Sequence, residues 1–447
     1  MGITKFITAV AVVAAALSQA QTVDITGACK ALSEAYPRDT TFPHTSAYDS
    51  LNVYFVNTTV QTPKCIFTPR SANAAAFAIR TFTSHKTIFA IRSGGHNWNS
   101  GFSSTSSGVL LDLLYLNEIT YRANSKTVKI GTGNTWGTVY KALEAYGVTV
   151  PGGRASPVGV GGLSLGGGLN FYLYEYGFTC DNIVEYEVVT ASGKIITVTK
   201  QQHPDLFLAL KGSGAPFALV TSFTFKAIPA GKIWGGSVYG GASTVEKSLE
   251  AVAEFMAPGG GIEDLNTHLI SVVALQNSSG TISANVLFYR DDVSTVPKAY
   301  ENLVASAKGE ELANTLSSGR TIADLTTEIG GSSAAPGPRQ RLVPWTVKDP
   351  DAGTLKELND IFHKASSPLL PKVAGFTATV TMIPLGYQAA KGKNVIGLEK
   401  GVNYLVMSLL VGWTEEKDDL LVRAAVWECY ERITEYFKKS GKLGRWM

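Results

Sequence analysis

The segment Arg92-Ser93-Gly94-Gly95-His96 contains the residue types of a site that holds a phosphate beside a reactive side chain. Two adjacent glycines permit positive φ angles, so successive backbone N–H groups can point into one concavity. Such a turn can lie on the pyrophosphate of a dinucleotide, and His96 would then be held against the group that the dinucleotide carries. A glycine-containing loop with a surface histidine is the alternative interpretation.

A second segment, Gly159 to Gly168, holds six glycines in ten residues. Each glycine costs roughly 1 kcal/mol relative to alanine inside a helix. We therefore predict that this segment is not helical and that its backbone approaches another group closely. Neither the Rossmann spacing nor a Walker phosphate loop is present.

The same segment contains Gly162-Leu163-Ser164-Leu165-Gly166, which formally matches the nucleophile elbow of serine hydrolases. In that motif a helix starts directly after the serine, whereas here the glycines at 166–168 follow. A hydrolase with Ser164 as nucleophile is therefore a remote alternative.

The secondary structure around these segments must position them, and its predicted pattern changes near residue 231. In the first half, strands are predicted at 109–111, 128–130, 184–189 and 194–198, with helices at 71–84 and 136–146. In the second half, strands alternate apolar and polar residues at 282–288 and 376–382, with Thr377, Thr379 and Thr381 on one face. Helices are predicted at 244–256, 295–307, 354–364 and from Thr414 to about Gly441, and a loop at Gly330 to Pro338. We expect an α+β domain followed by an antiparallel sheet with helices on one face.

The first twenty residues predict a secretory signal peptide. Lys5 precedes an apolar run from Phe6 to Leu17, and Ser18-Gln19-Ala20 has small residues at the cleavage positions. A membrane anchor needs roughly 20 apolar residues, and this run is shorter. The expected location is therefore extracellular, with mature chain from Gln21. Asn57 and Asn277 fit the glycosylation acceptor pattern.

The four cysteines become informative if the chain is exported, because disulfides persist outside the cytosol. Four cysteines allow three complete pairings. We favour a bond between Cys29 and Cys65, which lie in the same N-terminal polar stretch, and we expect Cys180 and Cys429 to be buried thiols.

The charge pattern limits the choice of partners. The chain carries a net charge of +3 with only 17% charged residues, and no basic run forms the stripe that a nucleic-acid groove needs. We expect no nucleic-acid partner, no membrane partner, no metal and a monomer.

Five blocks in order make the chain resemble the berberine bridge enzyme-like flavoproteins, within the vanillyl-alcohol oxidase group, and its secreted fungal branch. The blocks are Arg92 to Trp98, Gly159 to Gly168, Tyr176 to Asn182, His203 to Phe207, and Lys211 to Gly214 leading into Leu219-Val220-Thr221. The resemblance implies a PCMH-type FAD-binding domain.

The resemblance also assigns roles to residues. It implies that His96 is bonded covalently to the methyl carbon next to the flavin ring, and that the backbone of Arg92, Ser93, Gly94 and Gly95 holds the pyrophosphate. Gly159, Gly161 and Gly162 would lie along the flavin, and Val220 near its adenine end. Val158 corresponds to a position at which valine admits O2 to the reduced flavin.

Two departures from the family stand out. Many members have a second covalent link from a cysteine where this chain has Ala155, so one link is implied, which weakens a carbohydrate-oxidase interpretation. Relatives also continue beyond the C-terminal helix with a segment that carries residues beside the flavin, and we expect that segment to be missing here.

Together these observations predict a two-domain PCMH-type FAD-binding fold with a sheet-built substrate domain. The predicted boundaries are 1–20 for the signal peptide, 21–59 for an N-terminal segment, 60–231 for the FAD-binding domain, 232–420 for the substrate domain, and 421–447 for a C-terminal helix returning towards the FAD domain. The expected activity is oxidation of a small alcohol, amine or ring C–H by hydride transfer to FAD, with O2 as acceptor. The alternatives are an FAD-binding protein without turnover and a carbohydrate oxidase. Tyr404 and the threonine row are weak candidates for the base.

Overall fold

The computed structural model describes residues 23–214, 216–276, 280–331 and 338–444. The predicted signal peptide, the acceptor pattern at Asn277 and most of the predicted loop from Gly330 to Pro338 lie outside these ranges. None of the helices in the described ranges is both long and apolar enough to cross a bilayer.

The helices and strands follow in chain order. The helices are α1 Ile25–Ala35, α2 Ser46–Leu51, α3 Ala72–Ser84, α4 Trp136–Glu144, α5 Val160–Leu165, α6 Leu173–Tyr176, α7 Pro204–Ala209, α8 Val245–Met256, α9 Glu301–Ala305, α10 Ile322–Gly330, α11 Ala352–Ser366 and α12 Asp419–Ser440. The strands are β1 Thr40–Thr41, β2 Cys65–Phe67, β3 Phe89–Arg92, β4 Val109–Asp112, β5 Ile119–Arg122, β6 Thr127–Gly131, β7 Val148–Thr149, β8 Ile183–Val189, β9 Ile195–Thr199, β10 Leu219–Lys226, β11 Ile228–Pro229, β12 Ile233–Gly240, β13 Thr267–Gln276, β14 Gly280–Tyr289, β15 Glu311–Asn314, β16 Ser317–Arg320, β17 Arg339–Lys348, β18 Thr377–Leu385 and β19 Tyr404–Trp413.

The first half of the chain builds two larger sheets that pack through helix α3, and a two-stranded sheet of β7 and β11. In the described residues, one sheet has the order β1-β2-β4-β3 and the other the order β5-β6-β10-β8-β9. Helix α3 is rich in alanine, and its buried Ala75 and Ala78 let the backbone come close to α1, β8 and β9. The Ser71 hydroxyl accepts from the Ala74 amide and caps the helix start. Small residues therefore determine how near the two sheets can lie.

A buried ion pair anchors the N-terminal segment to the first sheet. Arg92 and Asp112 are neighbours in the parallel register of β3 and β4, and their side chains meet at 2.5 Å. The Arg92 guanidinium also donates to the carbonyls of Leu51 and Val53 and lies 4.7 Å from the ring centre of Tyr54. The side chain of Arg92 is thus committed to the fold, and only its backbone is left for a ligand.

The cysteines are arranged as predicted. Cys29 in α1 is bonded to Cys65 in β2, with a sequence separation of 36 residues. Cys180 and Cys429 are buried thiols. The disulfide and the Arg92 pair therefore hold the N-terminal segment at two separate points.

The second half forms an antiparallel sheet with helices on one face, as predicted. Within the described ranges its order is β15-β12-β14-β13-β18-β19-β17, with β16 also pairing with β12. Asn285 bonds to Ser248 of α8, and Trp345 bonds to Thr434 of α12, so these helices lie on the face that carries Asn285 and Trp345. Thr377, Thr379 and Thr381 lie on the opposite face, which we call the inner face.

Strand β14 differs from the half-buried strand that its alternation predicts. Its apolar residues share one face, but the other face is also buried, with Ser283 and Asn285 each 2% exposed. Ser283 is hydrogen-bonded to Thr244, and the Asn285 side-chain N–H donates to Ser248, whereas Asn285 Oδ1 has no partner among the described residues. The alternation predicted the strand and its faces but not the helix that covers the polar one.

The C-terminal helix α12 ends at Gly441, whose φ of 69° terminates it as the sequence predicts. It packs on α11 and β17, and Arg339 of β17 forms an ion pair with Asp419. We expected residues 421–447 to return towards the first domain, but their described part does not. The apolar side of the helix covers the second sheet instead.

We predict that Arg92→Leu lowers the free energy of unfolding by about 3–5 kcal/mol, because it leaves Asp112 buried without its partner. Urea denaturation measures the loss. Arg70→Leu is the matched control, since Arg70 pairs with Asp39 at the surface and its loss is expected to change little. Equal effects of the two substitutions would contradict the role given to Arg92.

Candidate active site

The two glycine turns touch each other backbone to backbone. A Cβ atom on Gly94 would lie 2.5 Å from the Gly159 amide nitrogen, and a Cβ on Gly159 would lie 2.4 Å from that of Gly94. The Ser93 hydroxyl joins the turns, because it donates to the Thr132 carbonyl at 2.6 Å and accepts from the Gly161 amide at 3.2 Å. Only glycine at both positions allows this contact.

The prediction that Gly159–Gly168 contains no helix is wrong for residues Val160–Leu165, which form α5. Tertiary packing overrides the low helix propensity here: a Cβ on Gly161 would lie 2.4 Å from Thr132 Oγ1. Gly162 faces open space, because a Cβ atom added to it would meet no other part of the chain within 4 Å. Gly167 and Gly168, with φ of 100° and 80°, then lead the chain out of the helix.

Ser164 does not have the environment of a nucleophile. It lies inside α5 and not at its start, it is 0% exposed, and its hydroxyl has no partner among the described residues. A nucleophile elbow presents its serine at an exposed turn. The geometry therefore removes the basis of the hydrolase alternative.

His96 is held between two aromatic rings. Its ring stacks on Phe55 at 3.6 Å between centroids, and Trp98 meets it edge-on at 5.4 Å. Its Nε2 atom is buried and has no hydrogen-bond partner in the described structure. Burial lowers the pKa of His96 to about 4, so that the imidazole is neutral at pH 7. A neutral, unpartnered imidazole nitrogen is a competent nucleophile.

The second sheet reaches this turn through Gln340. The Trp98 indole N–H donates to Gln340 Oε1 at 3.0 Å, and Thr58 donates to the Gln340 carbonyl. Gln340 lies in one cross-strand row with Gly412 and Thr377. The inner face of the second sheet therefore begins directly over the His96 turn.

Tyr404, the weak candidate for a base, is not brought to this turn. It lies eight residues along β19 from Gly412, which corresponds to about 26 Å of strand. It is fully buried, and its hydroxyl accepts from the Glu399 amide at 3.4 Å. The threonine row is nearer, and its three side chains are half-buried on the inner face.

The loop with Ala155 and Val158 connects the two domains. The Ser156 amide donates to the Thr326 carbonyl of α10 at 3.0 Å, and the Val158 carbonyl accepts from the Trp136 amide at 3.0 Å. Val158 is half-buried at the edge of the core. Val220 is a buried residue of β10, and the carbonyl of the next residue, Thr221, accepts from the Thr132 amide. The predicted residues from Ser93 to Val220 are thus linked through one set of backbone contacts.

Sequence reasoning missed two contacts of this site. Phe55 precedes the first predicted domain, and nothing in its sequence neighbourhood signals a partner for His96. Gln340 lies on β17, which follows directly after the predicted loop that ends at Pro338. The sequence signal for this strand is weak, because Leu342, Val343, Pro344 and Trp345 are all apolar and show no alternation of polarity.

Comparisons with known proteins agree with this geometry. A family model for the FAD binding domain matches residues 63–199. The FAD-dependent monooxygenase sdcF of Emericella nidulans is 32% identical over 443 residues, covering 94% of this chain and 88% of that protein. The chain belongs to the berberine bridge enzyme-like family of FAD-linked oxidoreductases.

Solved structures share the fold. The berberine bridge enzyme-like protein 1 of Physcomitrella patens superposes with a TM-score of 0.77 at 18% identity, covering 91% of this chain and 88% of that one. The berberine bridge enzyme of Eschscholzia californica gives a TM-score of 0.73 at 17% identity, covering 94% and 85%. The predicted fold class is therefore confirmed.

The residues of this flavoenzyme fit FAD. Gly94 and Gly162 are exposed where the two turns meet, and the unpartnered nitrogen of His96 lies in the same turn. The backbone from Arg92 to Gly95 can hold the pyrophosphate, whereas the Arg92 side chain cannot, because it is bonded to Asp112. The described residues contain no group of three or more side chains placed to bind a metal ion.

We predict that Gly162→Ala lowers the flavin content of the purified enzyme without destabilising the fold. The new methyl group would enter open space beside the turns, while alanine in α5 favours the helix by about 0.5–1 kcal/mol. The ratio of flavin to protein absorbance and the melting temperature of the apoprotein measure the two effects. Gly231→Ala, also without close neighbours, is the control and should keep its flavin. Full flavin content in Gly162→Ala would place the cofactor elsewhere.

Proposed function

We propose that this enzyme carries FAD bonded covalently through His96 and oxidises a small organic molecule, with O2 as the electron acceptor. The observation that carries the proposal is the neutral His96 ring, fixed between Phe55 and Trp98 with a buried nitrogen that has no partner among the described residues. A structural histidine in such a position would normally be hydrogen-bonded. A nitrogen kept free beside the glycine turn is suited to forming a C–N bond.

The protein's own residues would bind and orient, while the cofactor supplies the redox chemistry. When bound, FAD accepts a hydride from the substrate and passes the electrons to O2. The backbone of residues 92–95 and Gly159–Gly162 would hold the cofactor. Phe55 and Trp98 fix the plane of the His96 ring and exclude water from its nitrogen.

The inner face supports a weakly polar substrate. Its two central rows, which contain Thr379 with Leu410 and Thr381 with Ser408, carry hydroxyl and apolar groups and no charge. Hydroxyl groups can orient an alcohol, amine or phenol by hydrogen bonds without fixing its charge. In strands β13, β17, β18 and β19 these rows contain no acid, base or tyrosine, so proton transfer from the substrate there would pass through hydroxyls or water. Farther along the Thr381 row, Ala284 of β14 pairs with Tyr239 of β12.

Secretion as a monomer completes the proposal. The apolar N-terminal run and the pairing of Cys29 with Cys65 support export to an oxidising compartment. A covalent link would keep the cofactor in place there, where no pool replaces it. A fungal relative is named as an FAD-dependent monooxygenase, which supports a flavin-dependent reaction that uses O2.

We expect His96→Ala to abolish the covalent flavin and leave some bound FAD, because the glycine turns that would hold the pyrophosphate are unchanged. Fluorescence of the protein band on a denaturing gel, compared with flavin absorbance of the native protein, separates the two. His85→Ala is the control, since His85 pairs with Asp24 away from the turns. A fluorescent band that survives in His96→Ala would mean that another residue holds the flavin.

We predict that Val158→Leu slows reoxidation of the reduced enzyme by O2 at least about tenfold, which corresponds to roughly 1.4 kcal/mol. The added methylene would fill space beside the flavin that O2 must occupy, and packed proteins have few spare voids. Stopped-flow mixing of photoreduced enzyme with air-saturated buffer measures the rate. Val148→Leu, at a half-buried position in β7, is the control. Slow reoxidation of the unchanged enzyme would favour a dehydrogenase.

A further inference from the structure

Arg154 is a cation between the domains without a carboxylate partner among the described residues. It directly precedes Ala155 in the loop that contacts α10. Its one hydrogen bond in the described structure joins Nη1 to His268 Nε2 at 3.0 Å, and none of the described ion pairs includes it. Tyr140 and Tyr174 interact electrostatically with its charge, but their hydroxyls donate to backbone carbonyls.

The partner of Arg154 is a neutral histidine. Burial, with the nearby Arg154 charge, lowers the pKa of His268 well below its usual value. Since a guanidinium can only donate, His268 Nε2 must accept, and the ring proton therefore lies on Nδ1. That Nδ1–H is buried, belongs to a 0% exposed residue and has no partner in the described residues. The pair thus presents a positive charge and one unused donor.

The Arg154 side chain is partly accessible although its neighbours are buried. Burial lowers the pKa of Arg154 to about 10, which still leaves it charged at pH 7. Yet the residue is only half-buried, although Gly153, Phe171, Tyr174 and His268 around it are buried. His268 Nδ1 is buried without a hydrogen-bond partner, whereas no nitrogen atom of Arg154 is. The N–H groups of Arg154 that do not bond to His268 therefore stay accessible to a small ligand.

We infer that Arg154 and His268 form a binding site for a carboxylate. A desolvated cation costs several kcal/mol unless an anion accompanies it. Two guanidinium N–H groups match the two oxygens of a carboxylate, and the aromatic rings of Phe171 and Tyr174 bound the site with apolar surface. The carboxylate belongs either to the molecule that is oxidised or to a separate small acid. The site does not depend on the bond between FAD and His96.

The test is binding of benzoate to the holoenzyme, measured by calorimetry without turnover, with benzamide as the neutral probe. Arg154→Met should raise the Kd for benzoate about 10- to 150-fold, as expected for a lost charged hydrogen bond. Arg154→Lys, which keeps the charge, should lose less. Arg290→Met is the matched control, because Arg290 also joins the domains but is already paired with Glu175. Its Kd should equal that of the unchanged enzyme.

A second measurement separates a binding role from a structural one. Without ligand, Arg154→Met should melt at a higher temperature than the unchanged enzyme, because a partly desolvated charge without a described carboxylate partner is removed, whereas loss of a structural contact would lower the melting temperature. A change in the flavin absorption spectrum on benzoate binding assigns the carboxylate to the oxidised molecule, and an unchanged spectrum assigns it to a separate acid.

Three results would overturn the inference. They are equal affinity for benzoate and benzamide, no binding of benzoate to the unchanged enzyme, and an unaltered Kd in Arg154→Met accompanied by a lower flavin potential. The last result would mean that the positive charge of Arg154 stabilises the reduced cofactor and does not bind a carboxylate.

Discussion

The contact between the backbones of Gly94 and Gly159 is the constraint on which the site depends. Two turns can approach this closely only without side chains, and Ser93 then ties both to Thr132 at the end of β6. Because Thr132 is bonded in turn to Thr221, the contact places the start of β10 in the same arrangement. The position of His96 follows, since it is the next residue after the turn whose Gly95 has a φ of 64°.

The two domains share no sheet, and they are joined by a common apolar core, in which Phe171 stacks on Phe288, and by polar contacts. Trp98 donates to Gln340, Ser156 donates to Thr326, and Arg290 pairs with Glu175. These three contacts lie at different places around the space between the domains. They hold the inner face over the turns, and in the part of the chain that the structure describes, the side chains of Thr379, Thr381 and Ser408 in its central rows form no hydrogen bond to the first domain. An uncharged surface is therefore available where a substrate would lie.

Local patterns predicted the elements better than they predicted the contacts between them. The glycine pair, the cysteine pairing, the helices α3, α4, α8 and α11, and the strand with the threonine row follow from residue spacing, which depends on neighbours in sequence. Helix α5 was missed because Gly161 is required by Thr132, a neighbour only in space. The stacking of Phe55 on His96 and the reach of Gln340 depend on the relative placement of domains, which no local pattern contains.

The inner face is not uniform along its strands, and this difference is informative. At the end near His96 it offers Gln340 and Thr377, and its centre is neutral. At the other end of β13, eight residues or about 26 Å along the strand, His268 meets the charge of Arg154. A neutral histidine beside an arginine stabilises the fold less than a carboxylate would at that position. An anionic ligand would offset the cost of placing this charge, which has no described carboxylate partner, at one end of a neutral surface.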